Sequence, residues 1–111
     1  MSEAITVSRV IEKLSSRFIA KNSVDINSTY QFQLHDAEDF YFTIANQSLL
    51  VETGNHSDPD ITLILDSETF IRVVTGEQDG MSAFLKGQLR AEGNVMLATK
   101  LGKFFSKEKQ S

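Results

Sequence analysis

Cysteine and tryptophan are missing from this sequence, proline occurs once and histidine twice. Without cysteine there is no thiol nucleophile, no cysteine-ligated zinc and no disulfide framework, and a reducing compartment is permitted. Bases are outnumbered by acids, 11 to 15, for a formal charge of -4. That balance argues against a nucleic-acid partner, because neutralising phosphates takes a basic surface. No apolar run approaches the ~20 residues that cross a bilayer. Met1-Ser2-Glu3-Ala4 lacks the basic-then-apolar order of a secretory signal. The expectation is a soluble, cytoplasmic protein. Lys109-Gln110-Ser111 is not a Ser-Lys-Leu peroxisomal address. Asn27-Ser28-Thr29, Asn46-Gln47-Ser48 and Asn55-His56-Ser57 match the glycosylation pattern, but without an export signal they are chance matches.

What is present is one domain's worth of chain, residues 1–111, long enough to bury a core without disulfides or metals. Its charge is unevenly placed. Between Asn22 and Leu85 there are eleven acids and a single base, Arg72. Arg9, Lys13, Arg17 and Lys21 lie before that stretch, and Lys86, Arg90, Lys100, Lys103, Lys107 and Lys109 after it. The molecule is therefore electrically polarised.

From about Ser2 to Lys21, Val7, Val10, Ile11, Leu14 and Phe18 recur at helical spacing, with a basic ridge on another side. Period-two alternation then marks strands over Tyr30–His35 and Phe40–Ala45, joined by the acidic turn Asp36-Ala37-Glu38-Asp39. Asn46-Gln47 offers a tight connection to a third strand, Ser48–Thr53, which completes an antiparallel meander with one oily and one largely wet face. Ile61–Leu65 is apolar enough for a central strand. Asp66 or Ser67 caps a helix through Val74 that Gly76 ends, and a short helix from Asp79 to Lys86 closes at Gly87. Gln88–Glu92 alternates as a fifth strand stopped by Gly93, and a final helix runs from Asn94 to about Phe105. The fold class is α+β, a five-stranded sheet (antiparallel meander plus two further strands) with helices packed on one face.

Candidate chemistry is sparse. His56-Ser57-Asp58 is contiguous, whereas hydrolytic triads are assembled from separated segments, and no Gly-x-Ser-x-Gly elbow exists. His35 beside Asp36, Glu38 and Asp39 has no second histidine at ligand spacing, so no metal site is expected. The glycines follow elements and act as stops, not as phosphate cradles. No convergent acid, base and nucleophile are found, so no catalytic residue is assigned. The surplus is apolar: three helical faces converge on a sheet already rich in phenylalanine, with methionines that adapt to irregular shapes. Such a region either completes a core or encloses something apolar.

Asp60-Ile61-Thr62-Leu63, then Phe70 and Thr75-Gly76, then Ala83-Phe84-Leu85-Lys86-Gly87-Gln88-Leu89, then Glu92-Gly93 followed by Leu97, Ala98, Lys100 and Leu101, resembles the sterol carrier protein 2 (SCP-2-type) domain over nearly the whole chain. The resemblance implies a hydrophobic tunnel between sheet and helices, covered in part by the last helix. It implies binding and transfer of fatty acids, fatty acyl-CoAs, sterols, phospholipids or isoprenoid lipids, with no chemistry done on them and no cofactor. At matching positions, Phe70, Val74, Met81, Phe84, Leu85, Leu97, Leu101 and Phe104 contact the lipid or gate its entrance. Lys86, Arg90, Lys100 and Lys103 are candidates for a head group or for transient contact with an anionic membrane. The expectation is a domain that stands alone, without the thiolase, dehydrogenase or sulfatase neighbours that accompany it in some members. A lipid-metabolising protein partner or a homodimer is therefore also considered, as is a non-catalytic interaction or dimerisation module whose cavity is closed.

Overall fold

The computed structural model describes residues 12, 14–74 and 77–105. Five strands, β1 (Ser28–Leu34), β2 (Phe40–Ala45), β3 (Ser48–Thr53), β4 (Ile61–Leu65) and β5 (Leu89–Gly93), form one sheet in the order β3-β2-β1-β4-β5. The meander pairs antiparallel, β4 joins β1 in parallel, and β5 returns antiparallel on β4. Alternation explains which side chains go inward. Phe40, Phe42 and Ile44 of β2 are buried while Tyr41, Thr43 and Ala45 are not, and β4 repeats the pattern with Ile61, Leu63 and Leu65. Asn46 and Gln47 both take positive φ, 53° and 61°. This is the left-handed pair that a two-residue hairpin needs to match strand twist.

The second face of the sheet is drier than alternation suggests. Gln31, 2% exposed on β1, donates through Nε2 to the carbonyls of Phe40 (3.1 Å) and Gly54 (3.0 Å), and its Oε1 accepts from the His56 amide at 2.6 Å. One buried amide thus folds the loop after β3 back over the sheet, satisfying groups that would otherwise be costly to bury. Asp60 closes the same loop, its Oδ2 accepting from the Thr29 amide at 2.7 Å.

Three helices lie along the chain after β4: α1 (Ser67–Val74), α2 (Gly80–Leu85) and α3 (Met96–Lys100). Asp66 caps α1, accepting from the Thr69 amide at 2.8 Å. Asp36, at the tip of the β1–β2 hairpin, accepts from both the amide and the hydroxyl of Ser67, each at 2.9 Å. The acidic turn is thereby tied to the positive end of α1. Gly87 ends α2 at φ +77°, with its amide donating to the Phe84 carbonyl. Gly93 ends β5 at φ +101°, where a Cβ would lie 2.7 Å from the Asp60 carbonyl oxygen. Only glycine fits there.

Two helices end earlier than their periodicity suggests. Residues 14–17 are helical, but Phe18 forms a β-bridge with Phe105 and the Ile19 amide donates to the Phe104 carbonyl at 2.7 Å. Pairing with the C-terminal segment removes these groups from the helix, and Ala20–Ser23 follows as a 3₁₀ turn. The last helix likewise stops at Lys100 and tightens into a 3₁₀ turn, Leu101–Lys103, which lets Phe105 reach that bridge. Val7, Arg9, Val10, Ile11 and Lys13 of the helix expected from the sequence, Thr75 and Gly76 after α1, and Lys107 and Lys109 lie outside the described residues.

The Thr69 hydroxyl first, and then its amide, hold the Asp66 carboxyl below the usual carboxylate range. A lowered folded pKa stabilises the fold fully above the unfolded value of about 3.9 and loses that contribution as pH falls through the lower folded value. Asp66→Ala is expected to cost about 1 kcal/mol at pH 7, with the gap from wild type narrowing below about pH 4. Asp66→Asn should keep most of the cap and lose the pH dependence. Urea denaturation at pH 7 and pH 3 checks both.

Candidate functional site

The site begins with the inner face of β1. Tyr30 is fully buried, yet its phenol must be satisfied, and it donates to the Leu97 carbonyl of α3 at 2.9 Å. Burial first, then the negative charge of Asp60, raises its pKa far above the ordinary tyrosine value, so the hydroxyl stays a donor. This bond seats α3 on the sheet, with Leu97, Ala98 and Leu101 turned into the core. Gly80, the first residue of α2, then approaches α3 so closely that a Cβ would stand 2.8 Å from the Ala98 carbonyl oxygen.

Between these elements lies an apolar cleft of about 60 Å³, lined by Gly80, Met81 and Phe84 of α2, Ala91 of β5, and Val95, Met96, Ala98 and Thr99 on and before α3. Its rim is open to solvent: Met81 is 41% exposed, Phe84 42%, Val95 48% and Met96 64%. Leu85, at 76%, continues this patch beyond the cleft lining. Scattered exposed leucines need no explanation, whereas clustered large apolar side chains around a concavity mark a binding surface.

The residues singled out in the sequence divide into two groups. Met81 and Phe84 meet in the cleft with Leu85 beside it, while Phe70, Val74, Leu97, Leu101 and Phe104 belong to the core cluster, all 6% exposed or less. Gly80, Ala91, Val95, Met96, Ala98 and Thr99 complete the cleft and are not among the lipid contacts assigned from the sequence. The signal for Val95 and Met96 was present: if Leu97, Ala98 and Leu101 face the core, the two apolar residues just before them face out of it. All four candidate cations are exposed. Lys86 follows α2, and Arg90 alternates with the inward Leu89 on β5. Lys100 and Lys103 stand with Lys21 around a separate depression of about 240 Å³.

The polar motifs turn out to build the scaffold. Asp58 donates its amide to His56 Nδ1 at 3.0 Å, and the His56 ring packs edge-on against Tyr41 with centroids 5.1 Å apart. His56 therefore holds the loop that Gln31 anchors. Among the described residues no group of three or more His, Cys, Asp or Glu side chains is placed to hold a metal ion.

The model of the family described as "SCP-2 sterol transfer family" matches residues 11–106. The chain belongs to this family. Its SCP-2 fold recurs in the sec-alkylsulfatase Pisa1 from Pseudomonas sp., with a TM-score of 0.84 at 18% identity, over 96% of this chain and 17% of that one. It also recurs in palmitated SCP2L2 from Aedes aegypti, with a TM-score of 0.63 at 21% identity, over 89% and 93% of the two chains. Peroxisomal multifunctional enzyme A of Dictyostelium discoideum is 42% identical over 55 residues, half of this chain and 12% of that protein. The chain thus spans a small part of the curated relatives it matches. SCP-2 membership carries lipid binding and transfer as its general function. Among the described residues no helix is long and apolar enough to cross a membrane.

The α2–α3 contact sets the width of the cleft. Gly80→Ala places a methyl group against backbone, which cannot swing aside as a side chain can. It is expected to lower stability by about 1–3 kcal/mol. Thermal unfolding checks this, and a variant as stable as wild type would show that the two helices are not in close contact.

Proposed function

We propose that residues 1–111 form a single non-catalytic SCP-2-like domain that binds and transfers a lipid. It takes one long chain through the cleft of α2, α3 and β5 into a hydrophobic tunnel between sheet and helices. The ligand class is a fatty acid, fatty acyl-CoA, sterol or isoprenoid lipid. The observation that carries this reading is the ring of exposed Met81, Phe84, Val95 and Met96 around an apolar concavity. Covering it removes apolar surface from water on both partners. A chain of ~16 carbons brings on the order of 10 kcal/mol at ~0.8 kcal/mol per methylene. Retaining part of that after the entropic cost of association supports micromolar binding or better. The palmitated relative from Aedes aegypti supports an acyl chain as one ligand.

The cleft alone, at about 60 Å³, is smaller than the ~300–1,000 Å³ of ordinary ligand sites. In this reading it is the entrance. Uptake swings Met81 and Phe84 aside and parts the six-residue α2 from α3, admitting the chain towards Phe70, Val74, Leu97, Leu101 and Phe104, with Leu85 at the rim. Lys86, Arg90, Lys100 and Lys103 supply positive charge for a head group or for brief contact with an anionic membrane, and a lipid-metabolising protein is the natural recipient. Our reading places the carrier in the cytoplasm, whereas the matched Dictyostelium discoideum and mouse relatives are named peroxisomal enzymes. Fractionation of the source cell distinguishes the two.

Phe84→Trp tests the entrance. The larger ring fills the cleft at a half-exposed position, so the fold should survive while affinity for a fluorescent fatty acid falls ~10-fold, the equivalent of mild overpacking. Equal affinity in variant and wild type would reject the cleft as the entrance. No uptake by either protein would favour a closed interaction or dimerisation module.

A further inference from the structure

The sequence has no cysteine, so methionine thioethers are its only sulfur atoms open to oxidation, and there are three of them. Two, Met81 and Met96, line the same apolar cleft from different helices, one on the first turn of α2 and the other opening α3. Both are exposed. The close approach of Gly80 to the Ala98 carbonyl holds these helices together, so the two side chains border one concavity and not two separate patches. A thioether suits such a lining because it is apolar and adapts its shape through three rotatable bonds. A sulfoxide does not. Its oxygen is a hydrogen-bond acceptor, and the one side chain in the lining able to donate, Thr99, already gives its hydroxyl proton to the Met96 carbonyl at 2.7 Å. An oxidised sulfur therefore draws water to the cleft or turns its side chain away from it.

We propose that Met81 and Met96 form a reversible oxidation site that converts the cleft from apolar to polar. The oxidant is a hydroperoxide, with hydrogen peroxide the simplest. A sulfur lone pair attacks one peroxide oxygen, and the S–O bond forms as the O–O bond breaks. The departing hydroxide takes the proton left on the transferred oxygen and leaves as water. The thioether loses two electrons and the peroxide gains them. Methionine sulfoxide reductases, one for each epimer, return two electrons from a thiol and release the oxygen as water. Exposure serves both directions, because oxidant and reductase have to reach the sulfur. The modification stands on this geometry alone, whereas its consequence, loss of lipid uptake, rests on the reading of the cleft as the lipid entrance. With both sulfurs oxidised, an entering chain has to strip water from two sulfoxides where it otherwise meets two thioethers. Oxidation thus closes the entrance without a change of fold.

The full chain is treated with hydrogen peroxide and mapped by peptide mass spectrometry. Met81 and Met96 are each expected to gain one oxygen, and to lose it on incubation with the two reductases and dithiothreitol. Affinity for a fluorescent fatty acid should fall ~10-fold or more on oxidation, as for the loss of about two methylenes of apolar contact, and return on reduction. The double variant M81L/M96L keeps Met1, so any effect of peroxide through Met1 appears in it as well. Whatever the starting affinity of this variant, peroxide should leave it unchanged. M81Q/M96Q, which places polar groups at both positions, should bind weakly with no oxidant present. An anilinonaphthalene sulfonate dye reports apolar surface without lipid, and its fluorescence should fall on oxidation of the wild type but not of M81L/M96L. If the untreated protein takes up no fatty acid, the lipid reading fails and the dye decides: a fall that the reductases reverse supports the oxidation site, and constant fluorescence overturns it. Resistance of Met81 and Met96 to peroxide, sulfoxides that leave both affinity and dye unchanged, or an oxidised chain that no longer melts cooperatively also overturns the proposal.

Discussion

Five rings on β1, β2 and α1, those of Tyr30, Phe32, Phe40, Phe42 and Phe70, pack in one layer with neighbouring centroids 4.8 to 5.3 Å apart. All five are fully buried. Such rings each bury roughly 150–250 Å², and their tilted and edge-on pairs add ~0.5–1.5 kcal/mol apiece beyond area. The helices are placed by the need to cover this layer. α1 contributes Phe70 to it directly, and Phe104 meets Tyr30 edge-on at 6.0 Å. The hydroxyl of Tyr30 is the one polar group in the layer, and its demand for a partner fixes α3 through the Leu97 carbonyl.

Once α3 is held in that way, its remaining surfaces are assigned. Val95 and Met96 are left outside the core and, with Met81 and Phe84 of α2, border the cleft. Lys100 and the following Lys103 face the N-terminal turn that carries Lys21. A five-residue helix and its 3₁₀ extension thus separate an apolar concavity from a basic one. The chain's membership in the SCP-2 sterol transfer family gives the apolar side its reading as a lipid entrance.

Much of this was legible in the sequence because the signals were local. Alternation in Phe40–Ala45 and Ile61–Leu65 identified strands and their inward faces, Asn46-Gln47 identified the hairpin, and Gly87 and Gly93 marked stops that prove to need positive φ. What was not legible depends on partners distant in sequence. Nothing near Gln31 announces that its amide will hold the Gly54–His56 backbone. Nothing near Phe18 shows that pairing with Phe105 will end a helix whose apolar spacing continues. The division of the candidate lipid residues is of the same kind. Phe84 and Leu101 look equally apolar in the chain, and only packing leaves the first at 42% exposure and the second at 1%. Nothing near Lys21 announces that the turn carrying it will meet Lys103, through the bond from Asn22 and the pairing of Ile19 with Phe104.

The central claim is that the apolar surface of this chain accommodates a lipid. Native mass spectrometry of the protein purified from its own source tests it most directly, with denaturing spectra of the same sample to give the mass of the bare chain. The account predicts an added mass of one long-chain lipid per chain, released on denaturation and identifiable in the extract. A bare chain mass that also stays unchanged after incubation with palmitate, acyl-CoA and sterol would contradict it.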